Sequence, residues 1–339
     1  MPFKLKDIAD LSGLSLATVS RVMSGKPGVN KETREKVLNI AKSLDYKVNY
    51  NARSMKTSRT NTIGLVVADI TNPFYSDVAK TIEIQARKLN YTVIVANTNN
   101  SGKQEQLIVD TFENRRVDGF IFACSAMDDK CVKDVLNQGT PAILYHRHLK
   151  EGIKHNFIGC DESEGVHIAV KHLADLGHRR VAFISGSKEF STGLERLKYF
   201  IRERDLFGMS SDPNLIKEGG YNSEKTKTAV KELLSMSERP TAIFASSDFM
   251  AMEVLNDVVE FGLDVPRDIS IIGFDNIPIT AHKRINLTTV DIQTTRGAEE
   301  AVLNLINMIE GIKPGLETID VRLETKLVVR GSTSVPCIQ

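Results

Sequence analysis

A chain of 339 residues exceeds the roughly 100 to 200 residues of one ordinary domain, so more than one folding unit is expected. Its 41% hydrophobic and 26% charged residues, with 22 glycines and 10 prolines, are ordinary globular usage and exclude a disordered or collagen-like chain. Net charge is only +1, yet residues 1–60 hold 12 Lys/Arg against 5 Asp/Glu and the remainder 32 against 38, so a basic head of +7 precedes an acidic body of −6. That asymmetry suits a protein with one end that displaces counterions from phosphates and another that does not.

The N-terminus MPFKLKDIADLSG carries Lys4, Lys6, Asp7 and Asp10 in place of an apolar leader. No later run approaches the roughly 18 apolar residues that span a bilayer, so a cytoplasmic protein without a membrane partner is expected. Leu5, Ile8, Ala9 and Ser12 fall at helical spacing, and Gly13 then offers the permissive backbone of a tight turn. Ser15 is placed to cap a second helix from Leu16 to about Met23. At 100° per residue, Leu16, Ala17, Ser20 and Arg21 fill one arc of about 140°, and Thr18, Val19, Val22 and Met23 the opposite, buried one. A third helix, from about Lys31 to Leu44 with Asn30 as cap, sets Val37, Ile40, Ala41 and Leu44 on one stripe. Three short helices with a glycine turn describe a helix-turn-helix whose exposed arc enters the major groove, Arg21 reaching guanine and Leu16 and Ala17 the thymine methyls. Periodicity alone also allows a plain helical bundle whose exposed arc faces water.

The run KDIADLSGLSLATVSRVMSGKPGVNKETREKVLNIAKSLDYKVNYNARSMKTSRTNTIGLVVADITNPFY resembles the N-terminus of the lactose-repressor (LacI/GalR) family. The likeness continues in LADLGHRRVAFISG, RPTAIFASSDFMAM, DISIIGFDNIP and LVVRGST, nearly the whole chain. The resemblance implies a small all-α helix-turn-helix head, a hinge, and an α/β periplasmic-binding-protein-like core of two doubly wound parallel-sheet lobes, here 1–46, 47–61 and 62–339. It also implies a repressor held as a homodimer on double-stranded operator DNA and controlled by a small-molecule effector. Residues 45–62 carry Lys47, Arg53, Lys56 and Arg59 and few large apolar side chains, which suits a linker. In the family the hinge becomes a short helix on DNA and wedges an apolar side chain into the minor groove; Met55 takes the wedge position, with Asn51 and Arg53 beside it as DNA contacts. Methionine stands where leucine is commoner, and Val48 where proline is usual.

From Thr62 onward, apolar runs alternate with amphipathic stretches. Ile63 to Ala68, Thr92 to Ala96, Gly119 to Ala123 and Ala142 to Tyr145 read as one set of buried strands. Phe157 to Cys160, Val181 to Ile184, Ala242 to Ala245 and Ile269 to Gly273 read as a second, suggesting two parallel-sheet lobes. Ligands bind beyond the carboxyl ends of such strands. The loops there hold Phe74 and Tyr75 after the first strand, His146 and Arg147 after the fourth, Asp248 in SSDFMA and Asp275 in GFDNIP, with Arg196 in the helix after VAFISG and Tyr221 after a Gly-Gly pair. A carboxylate with an arginine can hold vicinal hydroxyls and an aromatic face can cover a sugar, chemistry for a neutral polyol. Arg196 and Asp275 match the family's ligand-binding positions.

Two departures bear on the ligand. His146 precedes Arg147 where sugar-responsive members often carry an aspartate, and Phe190 stands where purine-responsive members carry a base-contacting arginine, which disfavours purines. The position where a dinucleotide-binding G-x-G-x-x-G would follow the first strand reads ADITNPF, and no Ser/His/Asp or paired-carboxylate constellation stands out, so neither an enzyme nor a cofactor is expected. A transporter's solute-binding protein shares the bilobed core but has no use for a basic helical head. Cys124, Cys131, Cys160 and Cys337 show no C-x-x-C pair and no histidine at metal-finger spacing, so they read as buried or incidental thiols and predict no metal. The C-terminal VVRGSTSVPCIQ lacks leucine heptads, which favours a dimer over a tetramer.

Overall fold

A computed structural model of the chain describes residues 3–23, 27–46, 59–312 and 318–337. It divides into two compact units, Met1–Thr60 and Asn61–Gln339. Asn51, Arg53 and Met55, read from the sequence as hinge contacts to DNA, lie outside the described residues.

Among the described residues the head has three helices, α1 (Leu5–Ser12), α2 (Leu16–Met23) and α3 (Lys31–Ser43). Gly13 ends α1 in the left-handed conformation at φ 67°, which turns the chain sharply into the next helix. Ser15 Oγ then accepts the Thr18 amide at 3.1 Å, and Asn30 Oδ1 accepts the Thr33 amide at 2.8 Å, so both predicted caps satisfy first-turn donors. Ile8, Val19 and Val37, one from each helix, meet fully buried in the centre of this small core.

The larger unit holds two six-stranded sheets. One is built from β1 (Thr62–Val67), β2 (Thr92–Asn97), β3 (Gly119–Ala123), β4 (Ala142–Tyr145), β5 (Phe157–Cys160) and β11 (Asp320–Leu323), in the spatial order β11-β5-β4-β3-β1-β2, all parallel. The other is built from β6 (Val181–Ser185), β7 (Ile216–Glu218), β8 (Ala242–Ala245), β9 (Ser270–Asp275), β10 (Thr288–Asp291) and β12 (Lys326–Val328), in the order β12-β10-β9-β8-β6-β7. Its β10–β12 pair is antiparallel.

Phe157–Cys160, assigned from sequence to the second set of strands, belongs to the first sheet, where it pairs with β4 and β11. An apolar run announces a buried strand but not its neighbour, and here the chain changes lobe only after this strand. It changes again after β10, because the helix Thr294–Glu310 packs on the helix Pro73–Lys88 and on β3, β4 and β5, and a third time between β11 and β12. The four strands that periodicity missed are of three or four residues, and three of them lie at a sheet edge with part of their length exposed.

Candidate functional site

On the head, the arc of α2 opposite the core carries Leu16, which is 52% exposed, together with the exposed Ala17 and Arg21 and the half-buried Ser20. Val19 and Val22 fill the other arc. This leaves the Leu16 side chain outside the small core formed by Ile8, Val19 and Val37.

The core places a second constellation at the carboxyl ends of both sheets. From the N-terminal lobe come Phe74 and Tyr75, in the first turn of the helix Pro73–Lys88, and His146 and Arg147 just beyond β4. Asn72 caps that helix through the Phe74 amide, and Pro73 opens it with a preset φ. From the C-terminal lobe come Thr192 and Arg196, on the helix Ser191–Leu206, Tyr221 beyond β7, and Asp275 at the end of β9. Gly186 makes room for Tyr221, since a β-carbon there would sit 2.2 Å from the tyrosine ring. The space left between these groups is about 30 Å³, about one water's share of liquid volume, so anything of sugar size enters only when the lobes part.

Arg196 organises the C-terminal wall. It is 1% exposed; its Nε and one amino group grip both oxygens of Glu162 at 2.6 and 3.1 Å, and the other reaches Ser246 O at 2.6 Å and Asp275 Oδ1 at 3.3 Å. The guanidinium lies 3.8 Å from the centre of the Phe274 ring. Burial pushes the Glu162 carboxyl up, opposed by Arg196, and pushes Asp275 well above the ordinary carboxylate range. His146 faces the same arginine at 3.4 Å, and burial, then Arg196 and Arg147, drive its imidazole far toward the neutral form.

Three of these residues hold positive φ although none is glycine or asparagine: His146 at 68°, Tyr221 at 58° and Asp275 at 119°. Such backbone costs about 1 to 3 kcal/mol each and persists where the surroundings impose it, typically where side chains must converge.

Asp248 does not join them. Its Oδ1 accepts from Thr289 Oγ1 at 2.5 Å and its Oδ2 from the Ile277 amide at 2.9 Å, both inside the C-terminal lobe, and it is fully buried. Its neighbour Ser247 lines the cleft instead and caps the helix Asp248–Glu260. The sequence placed Asp248 in a loop beyond a strand, but it is the first residue of the helix, and its carboxylate turns toward β10 rather than the cleft.

Glu162, Thr192, Asn100 and Ser247 were not foreseen. Thr192 receives the Tyr221 hydroxyl at 2.9 Å and Asn100 receives Arg147 at 3.0 Å, pairings that no spacing in the sequence announces. His146, Cys160 and Glu162 also bring donor atoms within 4.8 Å of one another, but both Glu162 oxygens are already bonded to a guanidinium, which would repel a metal cation. Among the described residues no helix is long and apolar enough to cross a membrane.

Residues 4–49 match the model for bacterial regulatory proteins of the lacI family, and residues 170–333 match a periplasmic binding protein-like domain. Catabolite control protein A of Priestia megaterium is 33% identical over 291 residues, 86% of this chain and 87% of that protein. A lac repressor structure bound to ONPG in its repressed state superposes with a TM-score of 0.85 at 25% identity, covering 98% of this chain and all of that one. The transcriptional regulator CelR in complex with cellobiose superposes at 0.73 with 28% identity, covering 97% of this chain and 99% of that one. With a basic helix-turn-helix head, a two-lobed parallel-sheet core and these likenesses along its length, the chain belongs to the lacI family of bacterial transcriptional regulators.

Proposed function

We propose that the chain is a cytoplasmic repressor without catalytic activity, acting as a homodimer on double-stranded operator DNA and controlled by a small carbohydrate-like effector in the cleft between its lobes. The division into a head at 1–46, a hinge at 47–61 and a core at 62–339 is part of this reading. Leu16, Ala17, Ser20 and Arg21 read base edges, and Asn51, Arg53 and Met55 contact DNA in the hinge. Phe74, Tyr75, Arg147, Arg196, Tyr221 and Asp275 hold the effector; Asp248 acts only by bracing the wall behind it. The observation that carries the reading is the convergence of polar and aromatic groups from both lobes on one cleft at the carboxyl ends of two parallel sheets.

An effector changes operator affinity only by binding the lobe arrangements unequally, and a tenfold change needs about 1.4 kcal/mol of coupling. Asp275→Asn replaces the carboxyl by an amide with little change of shape. Removing Arg196 instead would strand Glu162 in the interior at a cost of about 3 to 5 kcal/mol and confuse response with folding. The test is operator affinity by fluorescence anisotropy, with DNA selected by the protein from a random pool and a sugar identified by thermal shift. Asp275→Asn is expected to keep operator binding and lose the sugar response. A full response in this variant would place the effector elsewhere.

A further inference from the structure

Two arginines line the cleft, and their charges are met differently. Arg196 has Glu162 and Asp275 against it. Arg147 is just as buried, at 3% exposed, but one amino group bonds only neutral acceptors, Asn100 Oδ1 at 3.0 Å and Cys124 O at 3.1 Å. Its guanidinium lies 3.7 Å from the centre of the Phe190 ring, with the Tyr221 ring at 5.5 Å and the Tyr75 ring at 6.0 Å. Among the described residues no carboxylate comes within 4.0 Å of it, and its Nε and second amino group have no hydrogen-bond partner. The cleft's other acid, Asp69, has one oxygen committed to its own turn through the Thr71 amide and hydroxyl. His146, in the position where an acid could have stood, is held neutral by burial and the two arginines.

Aromatic faces offset part of a buried cation's charge, and the two N–H groups of Arg147 that no protein atom accepts among the described residues match the two oxygens of one oxyanion. Asn100 and Phe190 also line a neighbouring groove of about 760 Å³, where Lys103, Lys130, Lys150 and Lys188 stand with Glu105, Asp128, Asp129 and Glu189. Of these acids, Asp128 is held by Lys133 and Lys150.

We propose that the effector is an anion whose carboxylate or phosphate group pairs with Arg147, against the aromatic wall of Phe190, Tyr221 and Tyr75. This rests on the cleft being the effector site and names the chemistry it takes: a sugar acid or a sugar phosphate rather than a neutral sugar.

The experiment uses the full chain and simple probes. Melting temperature is measured in acetate, in inorganic phosphate and in chloride at matched ionic strength, then with glucose, glucuronate and glucose 6-phosphate, for wild type, Arg147→Gln and Arg147→Lys. Oxyanions are expected to stabilise the wild type beyond chloride, Arg147→Lys less, and Arg147→Gln not at all, with affinity for the better sugar anion falling about tenfold or more in the glutamine variant. The carboxylate and phosphate arms separate the two sources. Equal oxyanion shifts in wild type and Arg147→Gln, or none in either, would overturn the proposal. Should Arg147→Gln fail to fold, competition decides: added chloride is expected to weaken the wild-type oxyanion response, and no weakening overturns the proposal. A neutral sugar that changes operator affinity through Asp275 but without Arg147 would overturn the anion and leave the effector cleft standing. An oxyanion that binds through Arg147 but leaves operator affinity unchanged would support the anion site and remove its regulatory role.

Discussion

Glu105 shows how single residues beside the cleft carry unfavourable charge. It is 4% exposed, accepts the Cys124 thiol at 3.3 Å, and lies near Asp129. Burial, reinforced by Asp129, pushes its pKa up from 4.5 to about 8. A carboxyl whose folded pKa is raised binds more protons folded than unfolded between those two values, so its contribution to stability falls as pH rises from 4.5 to about 8. Glu105→Gln, which resembles the protonated form, is therefore expected to match the wild type near pH 4.5 and to exceed it above pH 8, by up to a few kcal/mol. Denaturant unfolding at both pH values measures this; an equal difference at the two would show that the carboxyl is not the titrating group. No sequence pattern marks Glu105, because its environment is built by Cys124 and Asp129 from other elements.

At the scale of the element, α2 shows what local sequence can specify. The Ser15 cap, the Gly13 turn and the burial of Val19 and Val22 all follow from residues within a few positions of one another, and together they decide which arc is exposed. Arg21 on that arc is expected to read a base edge, so Arg21→Ala should cost about 1 to 3 kcal/mol of operator affinity and relax sequence preference at one position, leaving the fold intact. A gel-shift series on single-base operator variants tests it, and an unchanged preference would assign Arg21 to another task. The short strands are the contrary case. Thr288–Asp291 has no apolar run, and it forms a strand because β9 and β12 lie on either side of it.

Across the whole molecule, the lobes are joined by contacts that must change for the cleft to open. His148, in the loop after β4, donates its backbone amide to Ser191 Oγ at 3.0 Å and places Nε2 2.9 Å from Glu195, both on the helix Ser191–Leu206, and the Met127 amide donates to Glu189 O at 3.0 Å. His148 Nδ1 faces Leu149 O at 2.8 Å, so both ring nitrogens meet acceptors and the imidazolium is the form that satisfies both. Burial lowers its pKa, but the hydrogen bonds to Glu195 and Leu149 prevail and raise it above 6.5, with Arg322 opposing and His155 stacked nearby. For a raised histidine the stabilisation is complete below pH 6.5 and is lost as pH rises through the higher folded value. Glu195→Gln should therefore lower stability by about 1 to 2 kcal/mol at pH 6 and make little difference well above the folded pKa. Thermal unfolding at the two ends of that range checks it; a pH-independent difference would mean the contact is not an ion pair.

The sequence by itself determined what depends on near neighbours: the caps and exposed arc of α2, most of the strands from Ile63 to Asp275, though Thr92–Asn97 proved to be an edge strand with no buried residue, and the residue types at most of the cleft, since an apolar run, a cap or a strand end is legible within a dozen positions. Tertiary structure decided what depends on distant partners. Phe157–Cys160 joined the first sheet by pairing with β4, and on its other side it took up β11, a strand about 160 residues later in the chain. Asp248 turned inward because Thr289 and Ile277 stand behind it, and Arg196 gained Glu162 from a different helix. The charge of the cleft was decided in the same way. Two arginines look alike in the sequence, and only the folded arrangement shows that one meets carboxylates and the other meets aromatic rings and neutral oxygens, because ion pairing depends on ångström separations that residue order does not encode.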